Sequence, residues 1–282
     1  MIFVRDKGRL CNNLLQYGHV YAWGREHGRK TMSMRFAYKY QFFHVCHTRW
    51  HWFVVYALAK FAARRGWMPV VSFDNPGADY SREEQLMLTS RFIMVQGWMA
   101  RWYDLFLKYK SEILQLFAFD RKVMSGPDRL LASLPKAQVR LGLHIRRGDY
   151  RTWWDGKYYY NDEQYIGVLR QFLALHQGEK VQVFICGNDP ELHQQTFVKT
   201  FPGVEFIIPD GNPGEDLYLL SRMDWLIGAP STFTLVASMY RDVPLYWIEH
   251  PDDKLTADSF GPDKTCTRAQ AVTFLYKVFG QE

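Results

Sequence analysis

A cluster of charged residues follows one apolar segment of the chain and could bind an anion. Apolar side chains alternate through Val139–Ile145, which predicts a buried strand, and Gly148 predicts that this strand ends in a turn. Arg146 and Arg147 follow the strand directly, at the edge where open α/β sheets bind their ligands. Two guanidinium groups suit a diphosphate, because each can donate paired, charge-assisted hydrogen bonds. The alternative is a solvated turn in which an arginine forms an ion pair with Asp149.

Segments with the pattern of strands and helices alternate along most of the chain. Ile2–Arg5 and Met68–Phe73 have the pattern of short strands, and Asn12 could cap the helix that follows the first of them. Asn161 and Gln164 form a capping box that starts another helix. Strands alternating with helices at this rate imply parallel pairing and an α/β fold. Further strands are expected at 181–186, 204–208, 225–227 and 245–247, and further helices at 51–65, 103–117, 215–223 and 231–240.

Turn residues predict where the domains divide. Glycine and proline interrupt the helical pattern at 125–127 and at 134–136, just before the charged cluster. We therefore predict one α/β domain at 1–135, a second at 136–250 and an extension at 251–282. Within the extension, Thr267 and Gln270 predict a capped terminal helix. Phe260–Gly280 resembles the second half of an S-layer homology module.

Composition narrows the class of protein. Of the 282 residues, 48% are hydrophobic and 17% are aromatic, which excludes a disordered chain. The net charge of +6 favours an anionic partner such as a nucleotide, a lipid surface or a nucleic acid. The four cysteines lie far apart without a CxxC pair, which favours a reducing cytoplasm. The longest apolar run, Trp52–Ala59, is far shorter than the ~20 residues of a membrane-spanning helix, so a cytoplasmic location is expected.

Four motifs occur between residues 8 and 240. HIRRGDY, at His144–Tyr150, is preceded by GRLCNNLLQYG at Gly8–Gly18 and by VQGWMARWY at Val95–Tyr103. It is followed by EDLYLLSRMDWLIGAPSTFTLVASMY at Glu215–Tyr240. In these motifs the chain resembles the superfamily of α1,2-, α1,6- and protein O-fucosyltransferases, and it looks most like the bacterial α1,2-fucosyltransferases (glycosyltransferase family 11). The resemblance covers residues 1–250.

The resemblance implies a fold and a reaction. The implied fold is of the GT-B type, in which two Rossmann-like, doubly wound domains face a cleft. The implied reaction is transfer of fucose from GDP-fucose to a sugar hydroxyl with inversion, with an α1,2 linkage to galactose or a related residue of a surface glycan. No DxD triplet occurs in the sequence, so we expect no metal cofactor. Arg9 and Cys11 replace glycines of the usual first motif, which leaves the acceptor and the linkage open.

Positive groups are expected around the leaving diphosphate. Arg146 is the first candidate to stabilise the charge that develops on the β-phosphate, and Arg147 is the second. By the resemblance, the helix that begins near Ser231 faces the same phosphates. Its unpaired N–H groups and the hydroxyls of Ser231 and Thr232 can donate to an anion.

Carboxylates are expected at the guanine and at the acceptor hydroxyl. By the resemblance, Asp216 accepts hydrogen bonds from the guanine edge, with His144 beside it. An alternative is that Asp216 only stabilises the start of its helix. Inversion also requires a base for the acceptor hydroxyl, and both Asp149 and Asp155 are candidates. The resemblance adds three further residues to the GDP-fucose site: Asn12, Asn188 and Asp189.

Aromatic and basic residues alternate between Tyr38 and Trp67. The expected helix at 51–65 would pack Phe53, Ala57 and Phe61 into the core. His47 and His51 would share one helix face at a zinc-ligand spacing, but no carboxylate or HExxH motif accompanies them, so a metal site is not expected. The alternative is that this stretch contacts the inner face of a membrane, or a lipid-linked saccharide acceptor, through Arg49, Trp50, Trp52, Arg64, Arg65 and Trp67.

Three other functions remain open at this point. A related enzyme could use another GDP-sugar as donor. A glycan-binding protein without catalytic activity would have the same fold. A nucleic-acid binder would suit the basic charge, but the cations are dispersed and no RNA-binding motif is present, so we expect no nucleic-acid partner.

Overall fold

The computed structural model describes residues 1–5, 7–187, 189 and 194–260. These residues form two compact units, one over Met1–Arg121 and one that begins at Lys122. The predicted boundary after residue 135 lies after the helix Arg121–Ser133, whereas the division found in the structure lies at the start of that helix, which packs with the second unit. Asn188 and the predicted capping box at Thr267 and Gln270 lie outside the described residues. In the described part of the chain, no helix is both long and apolar enough to cross a membrane.

The first unit contains a sheet of four short parallel strands. They are β1 (Ile2–Val4), β2 (Thr31–Ser33), β3 (Val70–Ser72) and β4 (Ile93–Gln96), in the order β2-β1-β4-β3. The predicted strands β1 and β3 are confirmed, whereas β2 and β4 were not expected. The helices of this unit are α1 (Leu10–Glu26), α2 (Phe53–Arg64), α3 (Ser81–Thr89), α4 (Tyr103–Lys108) and α5 (Lys110–Leu116).

Helix α1 begins earlier than predicted, and Asn12 does not cap it. The residue at the cap position is Arg9, whose side chain makes no capping hydrogen bond. Asn13 fixes the preceding loop instead: its side chain accepts from the Lys7 amide at 2.9 Å and donates to the Arg9 carbonyl at 2.6 Å. The possibility that Asn12 caps the helix is therefore excluded.

Helix α2 is oriented opposite to the prediction. Ala59 is its only buried residue, whereas Phe53 is 62% exposed and Phe61 is 46% exposed. Small side chains face the sheet, where Ala62 and Ala63 pack with Ala59 against the apolar cluster of the unit. The alanines allow a close approach to the sheet, which a periodicity argument based on large apolar residues could not anticipate.

The two histidines at zinc-ligand spacing do not share a helix. His47 ends a short 3-10 helix (His44–His47), and its Nε2 lies 2.7 Å from a carboxylate oxygen of Asp120. His51 is buried before α2 starts, and its Nε2 accepts from the Ser33 amide at 3.0 Å. No group of three or more metal-ligating side chains is found among the residues that the structure describes.

The second unit contains five parallel strands, and all five were predicted. They are β5 (Val139–Ile145), β6 (Val181–Gly187), β7 (Glu205–Ile207), β8 (Trp225–Gly228) and β9 (Leu245–Trp247), in the order β7-β6-β5-β8-β9. The chain proceeds outward from β5 through β7 and then returns to place β8 on the other side of β5. The direction therefore reverses between β5 and β8, and such a reversal opens a crevice at the carboxyl ends of the two strands.

The helices of the second unit are α6 (Arg121–Ser133), α7 (Asp162–Leu175), α8 (Gln194–Thr200), α9 (Pro213–Ser221) and α10 (Thr232–Met239). The predicted break at 125–127 is wrong, because α6 continues through Pro127, which is buried on the same face as Val123. The capping box before α7 is confirmed. Helix α9 begins two residues before the prediction, since Asn212 and Glu215 form a second capping box.

Candidate active site

The reversal between β5 and β8 brings Arg146 and Ser231 together. Arg146 follows the last residue of β5, and Ser231 stands three residues after the end of β8. The Arg146 Nη1 donates to the Ser231 Oγ at 3.3 Å. This contact joins the two loops at the carboxyl edge of the sheet, where α/β proteins with this topology bind ligands.

The Arg146 guanidinium is held in place by Asp149 and Tyr150, in addition to Ser231. Its Nε and Nη2 donate to the two carboxylate oxygens of Asp149 at 3.3 and 2.8 Å. Its Cζ lies 4.7 Å from the centre of the Tyr150 ring, and the Tyr150 hydroxyl donates to the Pro230 carbonyl at 2.5 Å. The arginine–aspartate ion pair that the sequence offered as an alternative is therefore present. It is partly buried rather than solvated, since the Arg146 side chain is only 17% exposed. A charge fixed in this way is preorganised for an anion.

The amino end of α10 adds a second positive element beside Arg146. Ser231 is the cap residue, and its side chain accepts from the Phe233 amide at 3.2 Å. Ser231 and Thr232 are both buried, and the Thr234 hydroxyl donates back to the Ser231 carbonyl at 3.0 Å. The positive end of the helix dipole and the guanidinium of Arg146 therefore meet at one place.

Arg147 points away from this edge into the protein. It is buried, its Nε donates to the Tyr160 carbonyl at 2.7 Å, and its two terminal nitrogens donate to Asp162 and Asp189. Arg147 and Asp189, both predicted to bind the donor, are thus bonded to each other at 3.1 Å. Their geometry is that of a brace that ties the end of β5 to the start of α7 and to the loop after β6.

His144 is buried near the end of β5 and lies against α10. Its ring stacks on Phe233 with the centroids 5.1 Å apart. Burial, together with the nearby Arg146 charge, lowers the pKa of His144 to about 3, so the imidazole is neutral at physiological pH. The Nδ1 atom has no hydrogen-bond partner among the described residues. The Nδ1 atom can therefore form one hydrogen bond with a ligand, as donor or acceptor according to the tautomer.

Asp216 lies in the first turn of α9 and lines a cavity of about 290 Å³. Its Oδ1 is buried and has no hydrogen-bond partner in the described part of the chain. Burial raises the pKa of Asp216 to about 7, and the neighbouring Glu215 adds to the effect. A Cβ atom on Gly211 would stand 3.0 Å from that oxygen, so glycine keeps the access to the carboxyl open. The apolar walls of the cavity come from Pro127, Leu130, Ile208, Pro209 and Leu219.

The cavity and the Arg146 region lie at the same edge of the sheet. Burial and the charge of Asp216 raise the pKa of the Cys186 thiol. Cys186 pairs with His144 across β6 and β5, one residue before the end of each strand. Of the predicted site residues, His144, Arg146, Asp149, Ser231 and Thr232 thus cluster at the crevice, and Asp216 lies at the same end of the second unit.

The remaining predicted residues occupy other settings. Asp155 is exposed in a short turn (Trp153–Gly156) where its backbone adopts a left-handed conformation with φ near 50°. Asn12 belongs to the first unit, inside α1. Tyr150, which orients Arg146, was not singled out from the sequence, although it is part of the same motif.

Comparisons with known proteins identify the fold. No family model and no curated protein sequence matches the chain. Among solved structures, a variant of Arabidopsis thaliana FUT1 in complex with GDP has a TM-score of 0.63 at 12% identity, covering 92% of this chain and 72% of that one. POFUT1 in complex with GDP-fucose has a TM-score of 0.57 at 12% identity, with 86% and 94% covered. NodZ α-1,6-fucosyltransferase soaked with GDP-fucose has a TM-score of 0.53 at 15% identity, with 87% and 94% covered.

These likenesses concern the fold, since the identities are low. They confirm the predicted α/β class of the GT-B type, built here from two units that each contain a parallel sheet. The chain therefore shares its fold with fucosyltransferases whose structures contain GDP or GDP-fucose.

Proposed function

We propose that this chain transfers fucose from GDP-fucose to a hydroxyl group of a glycan or a lipid-linked saccharide. The observation that carries the proposal is a buried carboxylate oxygen of Asp216 that has no partner among the described residues, in a cavity at the same sheet edge as a preorganised arginine. A buried polar group without a partner is costly, which favours a ligand that supplies the missing donors. The shared fold with proteins that bind GDP and GDP-fucose supports this choice of ligand.

Guanine is the ligand that the Asp216 cavity suits. Its N1–H and its exocyclic amino group are adjacent donors, and a carboxylate can accept from both. Adenine has an acceptor at N1, which would face the carboxylate oxygen unfavourably. The apolar walls around Asp216 would enclose the faces of the base. In this proposal Asp216 gives selectivity for a guanine nucleotide, and the neutral His144 contributes one further hydrogen bond.

The diphosphate would bind at Arg146 and the start of α10. When the bond between the fucose anomeric carbon and the phosphate oxygen breaks, negative charge collects on the β-phosphate of the departing GDP. The Arg146 guanidinium and the first-turn N–H groups of α10 would stabilise this charge. Because these groups supply the positive charge, we expect the transfer to proceed without a metal ion. Arg147 and Asp189 act in it as a structural brace behind Arg146.

The acceptor hydroxyl needs a group that takes its proton as its oxygen attacks the anomeric carbon. We assign this role to Asp149, whose carboxylate is held beside the Arg146 guanidinium by two hydrogen bonds. Asp155 is the second candidate. Attack from the face opposite to the leaving phosphate inverts the anomeric configuration. The α1,2 linkage to galactose or a related residue is the specificity that the sequence motifs favour.

Calorimetric titration with GDP-fucose, GDP and ADP, with EDTA present throughout, tests the proposal. The wild type should bind both guanine nucleotides and discriminate against ADP. Arg146→Ala should lose at least tenfold in affinity for GDP, because a charge-assisted hydrogen bond contributes about 1.5–3 kcal/mol. Arg151→Ala, which removes an exposed arginine from the same loop, is the matched control and should bind as the wild type does. GDP binding unchanged in Arg146→Ala, or absent in the wild type, contradicts the proposal.

A further inference from the structure

Large apolar side chains are exposed along one side of α2 and next to both of its ends. Trp52 precedes the helix and Trp67 follows it, and they are 61% and 73% exposed. The side chains between them point to solvent at the spacing of one helix face. We call this surface the α2 face; its members are Trp52, Phe53, Val54, Leu58, Phe61 and Trp67.

The distribution of side-chain size around α2 is the reverse of that expected for a helix on the surface of a soluble protein. The side that packs on the sheet carries Ala59, Ala62 and Ala63, with Val55 and Tyr56 partly buried. The larger apolar residues lie on the outer side, where Phe53, Val54 and Leu58 are each more than 60% exposed. A contiguous exposed apolar surface of this kind marks an interaction site.

The stretch of sequence that contains the α2 face carries charges of a single sign. No Asp or Glu occurs between Glu26 and Asp74, whereas the whole chain has 29 of them. The Arg65 guanidinium lies 5.2 Å from the centre of the Phe61 ring, and Arg49 lies 5.0 Å from that of Trp50. The cations of this acid-free stretch are Arg29, Lys30, Arg35, Lys39, Arg49, Lys60, Arg64 and Arg65.

A basic cavity lies directly beside the same helix. Its volume is about 380 Å³, and Arg5, Lys60 and Arg64 line it without any carboxylate. The Lys60 ammonium donates to the Tyr56 hydroxyl at 2.9 Å, and the Tyr56 ring lies 4.6 Å from that of Tyr38. Ammonium, guanidinium and phenol groups together suit a phosphate ester.

We propose that the α2 face docks on a membrane surface that contains anionic phospholipids, with headgroup phosphates received by the cavity at Lys60 and Arg64. Exposed tryptophans and phenylalanine bordered by cations are typical of segments that lie in the membrane interface. A second copy of the chain suits the face less well, because a symmetric contact would bring the cations of both copies together. The proposal does not depend on the reaction proposed for the second unit.

Flotation of the full chain with lipid vesicles tests this docking. The protein should float with vesicles of phosphatidylcholine and phosphatidylglycerol and remain unbound with phosphatidylcholine alone, and salt should weaken the binding. Lys60→Gln with Arg64→Gln should reduce the affinity about 25-fold, since each cation near an anionic surface contributes about 1 kcal/mol. Phe53→Ser with Leu58→Ser should reduce it by more than 100-fold, because burial of such side chains contributes about 1.5–3 kcal/mol each, or at least about 3 kcal/mol for the pair.

Leu175→Ser with Val198→Ser is the matched control, since both residues are 45% exposed and lie in the second unit. This variant should float as the wild type does. Equal binding to neutral and anionic vesicles, or no binding to either, overturns the proposal. So does a dimer in solution that Phe53→Ser with Leu58→Ser dissociates. Calorimetric binding of GDP, measured on the same variants, should be unchanged, which separates this proposal from the one for the second unit.

Discussion

Replacing Asp216 with asparagine should stabilise the free protein and abolish selective binding of guanine nucleotides. The pKa of Asp216 is near 7, against about 3.9 for an exposed aspartate. The folded state therefore disfavours the ionised carboxyl, and stability falls as the pH rises from about 4 to 7. At pH 8 this corresponds to a cost of up to about 4 kcal/mol, at 1.36 kcal/mol per pH unit between the two pKa values. The neutral amide of Asp216→Asn removes that cost.

The same substitution should weaken GDP binding by more than 100-fold at pH 8. Two hydrogen bonds to an ionised carboxylate contribute about 3–6 kcal/mol together, and the amide nitrogen would face a donor of the guanine. Inosine diphosphate lacks the exocyclic amino group, so the wild type should bind it at least tenfold more weakly than GDP, whereas Asp216→Asn should bind the two nearly equally.

Thermal unfolding at pH 5 and pH 8 and calorimetry with both nucleotides measure these effects on one preparation. Asp210→Asn removes an exposed carboxylate from the same cavity and is the control. It should change GDP binding by no more than about fivefold, because exposed charges interact by ~1 kcal/mol or less. A destabilised Asp216→Asn at pH 8, or one that binds GDP as tightly as the wild type, refutes the reasoning.

Two further predictions concern the same unit. GDP affinity of the wild type should fall about tenfold per pH unit below pH 7, because Asp216 must release a proton to accept from guanine; calorimetry over pH 5–8 checks this, and a flat profile would contradict it. Arg147→Ala should lower the free energy of unfolding by about 3–5 kcal/mol, because it removes the guanidinium from its buried ion pair with Asp189. Denaturant unfolding measures this loss, and a change below about 1 kcal/mol would refute the assignment of Arg147 as a brace.

Two strands of the second unit were readily predictable because they are buried and long. Strands β5 and β6 have seven residues each and are apolar along most of their length, so their periods were recognisable from the sequence. In the first unit the strands have three or four residues. The sequence of β2, TMS, has no apolar pattern that distinguishes it from a loop, whereas β4, IMVQ, is apolar and was overlooked. The orientation of α2 could not be predicted, because the helix carries apolar residues on more than one side. The small size of its alanines, rather than their hydrophobicity, decides which side faces the sheet.

At the candidate site, local features were predictable and long-range pairing was not. The strand end at Arg146 followed from the turn signal at Gly148, and the helix start near Ser231 was expected from the pattern of elements and from the family resemblance. The partners of Arg147 are 15 and 42 residues away in sequence, so no local pattern indicated that its guanidinium is already bonded. Asn212 and Glu215 carried the spacing of a capping box that was overlooked. The role proposed for Asp216 came from the family resemblance, and its burial became visible only once α9 was placed on the sheet.

The central claim, transfer of fucose from GDP-fucose, is tested most directly by turnover of that donor. The purified chain would be incubated with GDP-fucose, EDTA and a panel of galactose-terminated saccharides, and both GDP release and the mass of the saccharide would be followed. The account predicts GDP release together with a product heavier by one deoxyhexose, in the wild type and not in Arg146→Ala. No turnover of GDP-fucose with any acceptor, while another GDP-sugar is consumed, would contradict it.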